Sequence, residues 1–173
     1  MNRLLLFLFV GVVAFGLIHG ASPNSEVSRQ EAIKDALLKL RTEPKTMLQM
    51  DERVKAIKKL GEMRAVEAIP PLVRNLTKIR PISGYDMLDL AETYPAGEAL
   101  IQIGDPAVDS LKKRFEATPP GHDQLLILNI LRRIKGKEWT VSYLTQLNQE
   151  QKEKLPDAAL DKLAHWVRSF DGK

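Results

Sequence analysis

The amino-acid sequence predicts an all-α fold: a right-handed α-solenoid of about three helical pairs, closed at each end by a cap helix. Apolar residues recur at the spacing of an amphipathic helix over most of the chain after residue 25. A helix–turn–helix pattern also repeats, with Gly61 and Gly104 at corresponding places 43 residues apart. A unit of two short helices cannot bury its apolar faces alone, so its copies are expected to stack.

The clearest copy of this unit lies in residues 95–115. Gly104 can adopt the left-handed conformation that ends a helix. Asp105 can cap the next helix, and Pro106 suits the first position of that helix, where no amide donor is needed. Apolar residues form one helical face on each side of this turn: Ala96, Ala99, Leu100 and Ile103 before it, and Val108, Leu111 and Phe115 after it.

Two further copies flank this one. The upstream copy turns at Gly61, and Val66 lies 42 residues before Val108, which predicts that these two valines are equivalent. The downstream copy turns at Gly136, only 32 residues after Gly104, so it is shorter or its turn is displaced. Helices over residues 26–41 and 156–171 are predicted to cap the two ends.

Two segments resemble HEAT repeats. They are Leu-Gly at 60–61 with Arg-Ala-Val-Glu-Ala-Ile-Pro-Pro-Leu at 64–72, and Ala-Leu-Ile-Gln-Ile-Gly-Asp-Pro-Ala-Val at 99–108. They are most similar to the bacterial kind labelled phycobilisome-lyase-like HEAT repeats. The resemblance implies a scaffold of stacked helical pairs, and since such repeats serve many binding roles it does not name a ligand.

The resemblance extends over residues 51–117, and more loosely over 121–148. It departs from the pattern at Glu62 and Met63, which stand where the second copy has Asp and Pro, and in the long insert 78–94.

The amino terminus has the pattern of a signal peptide in residues 1–20. Arg3 precedes the uncharged, mostly apolar run 4–18, which suits a signal peptide and is short for a membrane span. We therefore expect export to the periplasm or the outside of the cell, with a linker at 21–25 and the repeat domain at 26–173. The alternative is an uncleaved segment that anchors the protein in the membrane.

Composition excludes several kinds of chemistry. The chain has no cysteine, which rules out disulfides and thiol catalysis, and its three histidines are not clustered with carboxylates at metal-ligand spacing. We expect no metal, no cofactor and no enzymatic activity. The formal net charge of +4 is small, which argues against a dedicated nucleic-acid binder.

Candidate partner-binding residues fall in three places, because function tends to lie on loops and exposed faces that a rigid scaffold positions. The insert carries Tyr85 and Met87, the basic helix end carries Arg132 and Arg133 with Trp139 beside them, and the concave face, lined by the second helix of each pair, carries Arg74, Lys112 and Lys113.

The sequence thus predicts an exported, non-catalytic HEAT-repeat scaffold that binds a protein partner whose identity it does not give. Two alternatives stay open. One is binding of an anionic ligand, a nucleic acid or a polysaccharide, through the basic helix ends. The other is a lyase or chromophore-handling enzyme, which only the label of the resembled repeats suggests.

Overall fold

The computed structural model describes residues 23–77, 94–119 and 121–150, together with His165. Within these residues the chain forms α-helices and short 3₁₀ turns and no strand, so the predicted all-α class is confirmed. The α-helices are α1 (Pro23–Arg41), α2 (Met47–Glu62), α3 (Ile69–Arg74), α4 (Pro95–Ile103), α5 (Val108–Glu116), α6 (His122–Lys135) and α7 (Lys137–Glu150).

Some predicted segments lie outside the described residues. These are the signal peptide 1–20, most of the insert 78–94, and the carboxyl-terminal cap helix 156–171 except for His165. At the other end, α1 begins at Pro23, so the predicted linker 21–25 is helical in its last three residues.

The helices form two layers. In one layer α2 packs against α4 and α4 against α6, while in the other α3 packs against α5. Contacts of α3 with α4, α5 with α6 and α6 with α7 join the layers, and α1 packs against α2 at the amino-terminal end. The units α2–α3, α4–α5 and α6–α7 are therefore three stacked helical pairs, with α1 as the predicted end helix.

Local signals in the sequence set several helix ends. The side chain of Thr46 caps α2, since its hydroxyl accepts the backbone N–H of Gln49 at 3.2 Å. Helices α4 and α6 end at Gly104 and Gly136, whose φ angles of 82° and 88° are costly for residues with a side chain. These two glycines mark the turns of the second and third pairs.

The prediction that Gly61 is the turn of the first pair is wrong. Helix α2 runs through Gly61, and the turn follows at Met63–Ala65, where Arg64 takes the positive φ of 48°. A Cβ atom on Gly61 would lie 2.7 Å from the Cα of Ala99. Gly61 is thus a contact residue that lets the backbones of α2 and α4 approach closely.

The predicted cap at Asp105 is also wrong. Asp105 and Pro106 are the first two residues of a 3₁₀ turn, Asp105–Ala107, and no side chain caps this turn. The carboxylate of Asp105 instead accepts a hydrogen bond from Nζ of Lys135 in α6 at 3.2 Å. Since α5 continues from the 3₁₀ turn, its amino terminus does not need the cap that the sequence suggested.

A continuous apolar core runs through the three pairs, from Ile33 in α1 to Leu147 in α7. The second helices of the first two pairs, with the residues directly beside them, fill it with equivalent side chains spaced 39 residues apart: Ala68 and Ala107, Ile69 and Val108, Leu72 and Leu111, Leu76 and Phe115.

This spacing corrects the predicted equivalence of Val66 and Val108. Val66 begins the 3₁₀ turn before α3 and is 51% exposed, whereas Ile69 occupies the buried position that matches Val108. The turn of the first pair is longer than that of the second, and this shifts the register between the first and second helices.

Candidate binding surfaces

An arginine buried in α2 ties three helices together. Arg53 is only 4% exposed, and its Nη2 donates to the carbonyl of Leu40, at the end of α1, at 3.1 Å and to Oδ1 of Asn75, after α3, at 2.7 Å. Its Nη1 donates to the carbonyl of Thr42 at 3.1 Å. We call Arg53 and Asn75 the polar clamp. It directs a fixed cation at the carboxyl ends of α1 and α3, where the helix dipoles favour positive charge.

The other half of the clamp is equally constrained. The side-chain nitrogen of Asn75 donates to the carbonyl of Pro71 at 2.7 Å, so its amide bonds in both directions. Asn75 is 6% exposed and follows the last residue of α3. Its geometry therefore fixes the end of this short helix relative to Arg53.

A groove of about 470 Å³ opens above the polar clamp between α1 and α3. Leu37 and Arg41 line it from α1, and Pro70, Pro71 and Arg74 line it from α3. A second cavity, of about 450 Å³, shares Glu43 and Arg53 with this groove and lies along the segment that joins α1 to α2.

Glu43 provides a carboxylate at the boundary of the two cavities. Its Oε2 lies 3.8 Å from Nη1 of Arg53, and its side chain is 75% exposed. The Nε of Arg53 is buried and has no hydrogen-bond partner among the described residues. Among the described residues, the acceptors that hydrogen-bond this buried cation are thus neutral oxygens, and the carboxylate that forms an ion pair with it, Glu43, is exposed.

A cluster of rings joins α5 and α7 at the other end of the described chain. The ring of Tyr143 stacks on Trp139 with centroids 5.5 Å apart and meets Phe115 edge-on at 6.0 Å. Nζ of Lys112 lies 5.1 Å from the centre of the Tyr143 ring, within reach of a cation–π contact. We call Phe115, Trp139 and Tyr143 the aromatic cluster.

The hydroxyl of Tyr143 completes this contact between layers. It donates to Oε1 of Glu116 at 3.0 Å. Burial first, and then the hydrogen bond and negative charge of Glu116, raise the pKa of Tyr143 above its ordinary value. The phenol is therefore held neutral, because both the surrounding apolar side chains and the carboxylate oppose its ionisation.

The predicted basic helix end holds neighbouring pairs together. Arg133 forms an ion pair with Glu98 of α4 at 2.8 Å. Lys135 contacts Asp105 as described and lies 6.0 Å from the ring centre of Trp139. Arg132 is half-buried in α6. Because Arg133 and Lys135 already face carboxylates of the second pair, this helix end offers less charge to an anionic ligand than its sequence suggested.

The structure brings some predicted binding residues together and separates others. Lys112 and Trp139, assigned to different surfaces by the sequence, both contact the ring of Tyr143, and Trp139 is half-buried against the core. Arg74 lines the groove and is exposed, and Lys113 is exposed on α5. The predicted contact residues of the insert, Tyr85 and Met87, lie outside the described residues.

Two central residues, Arg53 and Tyr143, were not among the predicted sites. A signal for Arg53 exists, because it lies four residues before Ile57 and seven before Leu60 and so belongs to the buried stripe of α2. Tyr143 carries the same kind of signal, since it lies four residues before the buried Leu147, but nothing in the sequence shows that Phe115 and Lys112 meet it.

Among the described residues, no group of three or more His, Cys, Asp or Glu side chains could hold a metal ion. In the same part of the chain, no helix combines the length and apolar character needed to cross a bilayer.

The hydroxyl of Tyr94 lies 2.5 Å from Nε2 of His122, a contact that links the amino-terminal ends of α4 and α6.

Residues 52–78 match the family model described as the PBS lyase HEAT-like repeat. The matched segment spans most of α2 and all of α3, the pair that carries the polar clamp. No curated protein and no solved structure matches the chain. The match confirms the family resemblance where the sequence placed its first copy.

Proposed function

We propose that this scaffold of stacked helical pairs, in which residues 52–78 match a HEAT-like repeat, binds a protein partner and catalyses no reaction. The observation that carries the proposal is that the second helices are packed into the scaffold and present exposed charged side chains. Arg74 on α3 and Lys113 on α5 are exposed, and these two helices pack side by side. Cations held at fixed places on adjacent helices suit an extended contact with another protein.

The other layer is less suited to this role. Helix α4 is packed by α2, α3 and α6, and most of its residues are buried. In α5, by contrast, the buried residues Val108, Leu111 and Phe115 form one face and leave the opposite face to charged side chains. A partner approaching the second helices meets more accessible side chains than one approaching α4.

We further propose that the protein acts after export. The support is the amino-terminal sequence, in which Arg3 precedes an uncharged apolar run that small residues follow at 20–21. Amino-terminal sequencing of the native protein tests this. A first residue near Ala21 supports cleavage, whereas intact Met1 on membrane-bound protein supports the anchored alternative.

The binding proposal is tested by comparing captured proteins between matched variants. Arg74→Glu with Lys113→Glu reverses two charges on the second helices, and Lys58→Glu with Lys59→Glu reverses two exposed charges on α2. We expect wild type and the α2 variant to capture the same partner equally well. The second-helix variant should fail to capture it. Equal capture by all three proteins, with all three folded by circular dichroism, would contradict the proposed surface.

A further inference from the structure

We infer that the groove between α1 and α3 binds an acidic, extended segment of the protein partner, with one of its carboxylates taking the place of Glu43 beside Arg53. The inference rests on the proposed function and names the chemistry by which the partner is recognised. It arises from the charge balance of the polar clamp and from the shape of the groove above it.

The first step concerns the charge of Arg53. A buried cation is costly unless an anion pairs with it, because neutral acceptors only partly replace its hydration. Leu40, Thr42 and Asn75 supply neutral oxygens to the guanidinium. The carboxylate of Glu43 stays at 3.8 Å, beyond the distance of a charge-assisted hydrogen bond. The clamp therefore retains positive charge that a closer carboxylate would neutralise.

The second step concerns access to that charge. Because Glu43 is 75% exposed and yet approaches Nη1 of Arg53, a carboxylate from solvent can reach the same edge of the guanidinium. Glu43 shows where such a group would lie. A partner carboxylate that displaces it and closes the distance would gain a stronger hydrogen bond at a desolvated site.

The third step concerns the walls. Arg41 on α1 and Arg74 on α3 add exposed cations on the two sides, and Pro70 and Pro71 add an apolar edge. The groove volume of about 470 Å³ falls in the range of about 300–1,000 Å³ typical of ligand pockets. Cations on the floor and on both walls suit a chain that presents more than one carboxylate.

The acidic residues of the groove make it selective. Glu43 and Glu67 both line it, so they oppose any anion that cannot displace or avoid them.

The aromatic cluster is a weaker candidate for the same ligand. Its neighbouring cations, Lys112 and Lys135, already lie over the rings of Tyr143 and Trp139.

The test uses fluorescence anisotropy with the full chain and a labelled peptide of alternating Glu and Ala, compared with the same peptide carrying Gln for Glu. We expect the Glu peptide to bind more tightly. Arg74→Gln should weaken its binding roughly two- to fivefold, the effect of one exposed charge, and Glu43→Gln should strengthen it by a similar factor. Lys58→Gln, an exposed change on α2 outside the groove, should leave it unchanged.

Three results would overturn the inference: equal binding of both peptides, no tightening by Glu43→Gln, or a loss with Lys113→Gln as large as that with Arg74→Gln. The last would mean general attraction to the second helices. If the peptide does not bind but partner capture still depends on Arg74 and Lys113, this inference fails and the proposed function stands. If capture is also unaffected, both fail.

Discussion

The polar clamp and the aromatic cluster solve the same packing problem in opposite ways. Each joins a second helix to its neighbours, the clamp at the end of α3 and the cluster between α5 and α7. Around Tyr143, the rings pack together and the ammonium group of Lys112 lies over the tyrosine ring. Around Arg53, hydrogen bonds fix the helices and an open groove remains above them. The rings of the aromatic cluster fill the space between their helices, whereas the hydrogen bonds of the polar clamp leave a groove open between α1 and α3.

Helix length explains the difference. Helix α3 has 6 residues, with Pro70 and Pro71 near its start and Asn75 after its end. Helices α5 and α7 have 9 and 14 residues. A short second helix covers less of its neighbours, so the first pair exposes a groove where the third pair has a filled contact.

The largest effect is expected from Tyr143→Ala. Removing a buried aromatic side chain costs about 3–5 kcal/mol, because it loses apolar burial and leaves a cavity between α5 and α7. Urea unfolding followed by circular dichroism measures this loss. Tyr143→Phe, which keeps the ring, should retain most of the stability. If the two variants lose the same free energy, the hydroxyl and not the ring packing holds the third pair.

A smaller loss is expected from Arg53→Ala. It leaves the carbonyl of Leu40 and the side-chain oxygen of Asn75 without their donor, at about 1–3 kcal/mol for each buried acceptor. The same change removes a buried cation, and the loss of its desolvation penalty offsets part of that cost. Lys58→Ala, at an exposed position of the same helix, is the matched control and should have little effect on unfolding.

A double-mutant cycle sharpens this test. Because Arg53 and Asn75 bond directly at 2.7 Å, the cost of Asn75→Ala should be much smaller in the Arg53→Ala background than in wild type. Additive losses would show that the two residues act separately, and the contrast between a polar clamp and an aromatic cluster would then be wrong.

The sequence predicted the helical class and the stacking of pairs because apolar periodicity reports directly which faces are buried. It misplaced the first turn because glycine has two uses. Gly104 provides a positive φ, whereas Gly61 provides space for α4, and both uses look alike in a sequence. The one-letter pattern could not show that Arg64 takes the positive φ in the first pair.

The candidate surfaces were less predictable than the fold. Charged residues were assumed to face solvent, which holds for Arg74 and Lys113 but not for Arg53. Arg133 pairs with Glu98, a residue 35 positions away in the chain. Only the packing of α4 on α6 therefore shows that the charge of Arg133 is neutralised within the protein.

The smallest effect concerns the hydroxyl of Tyr143 and depends on pH. Burial and Glu116 raise its pKa in the folded protein, while the unfolded chain titrates near the ordinary tyrosine value of about 10. The contribution of the phenol to the free energy of unfolding is therefore complete below about pH 10. It is lost as pH rises through the folded pKa, because only the unfolded state releases its proton easily.

At neutral pH, Tyr143→Phe should cost about 0.5–1.5 kcal/mol for the lost hydrogen bond. Above pH 10 the gap in unfolding free energy between wild type and variant should narrow, and since lysines titrate in both proteins, the difference isolates Tyr143. A gap that stays constant from neutral to alkaline pH would mean that Tyr143 ionises alike in both states, and the aromatic cluster would then be open to solvent.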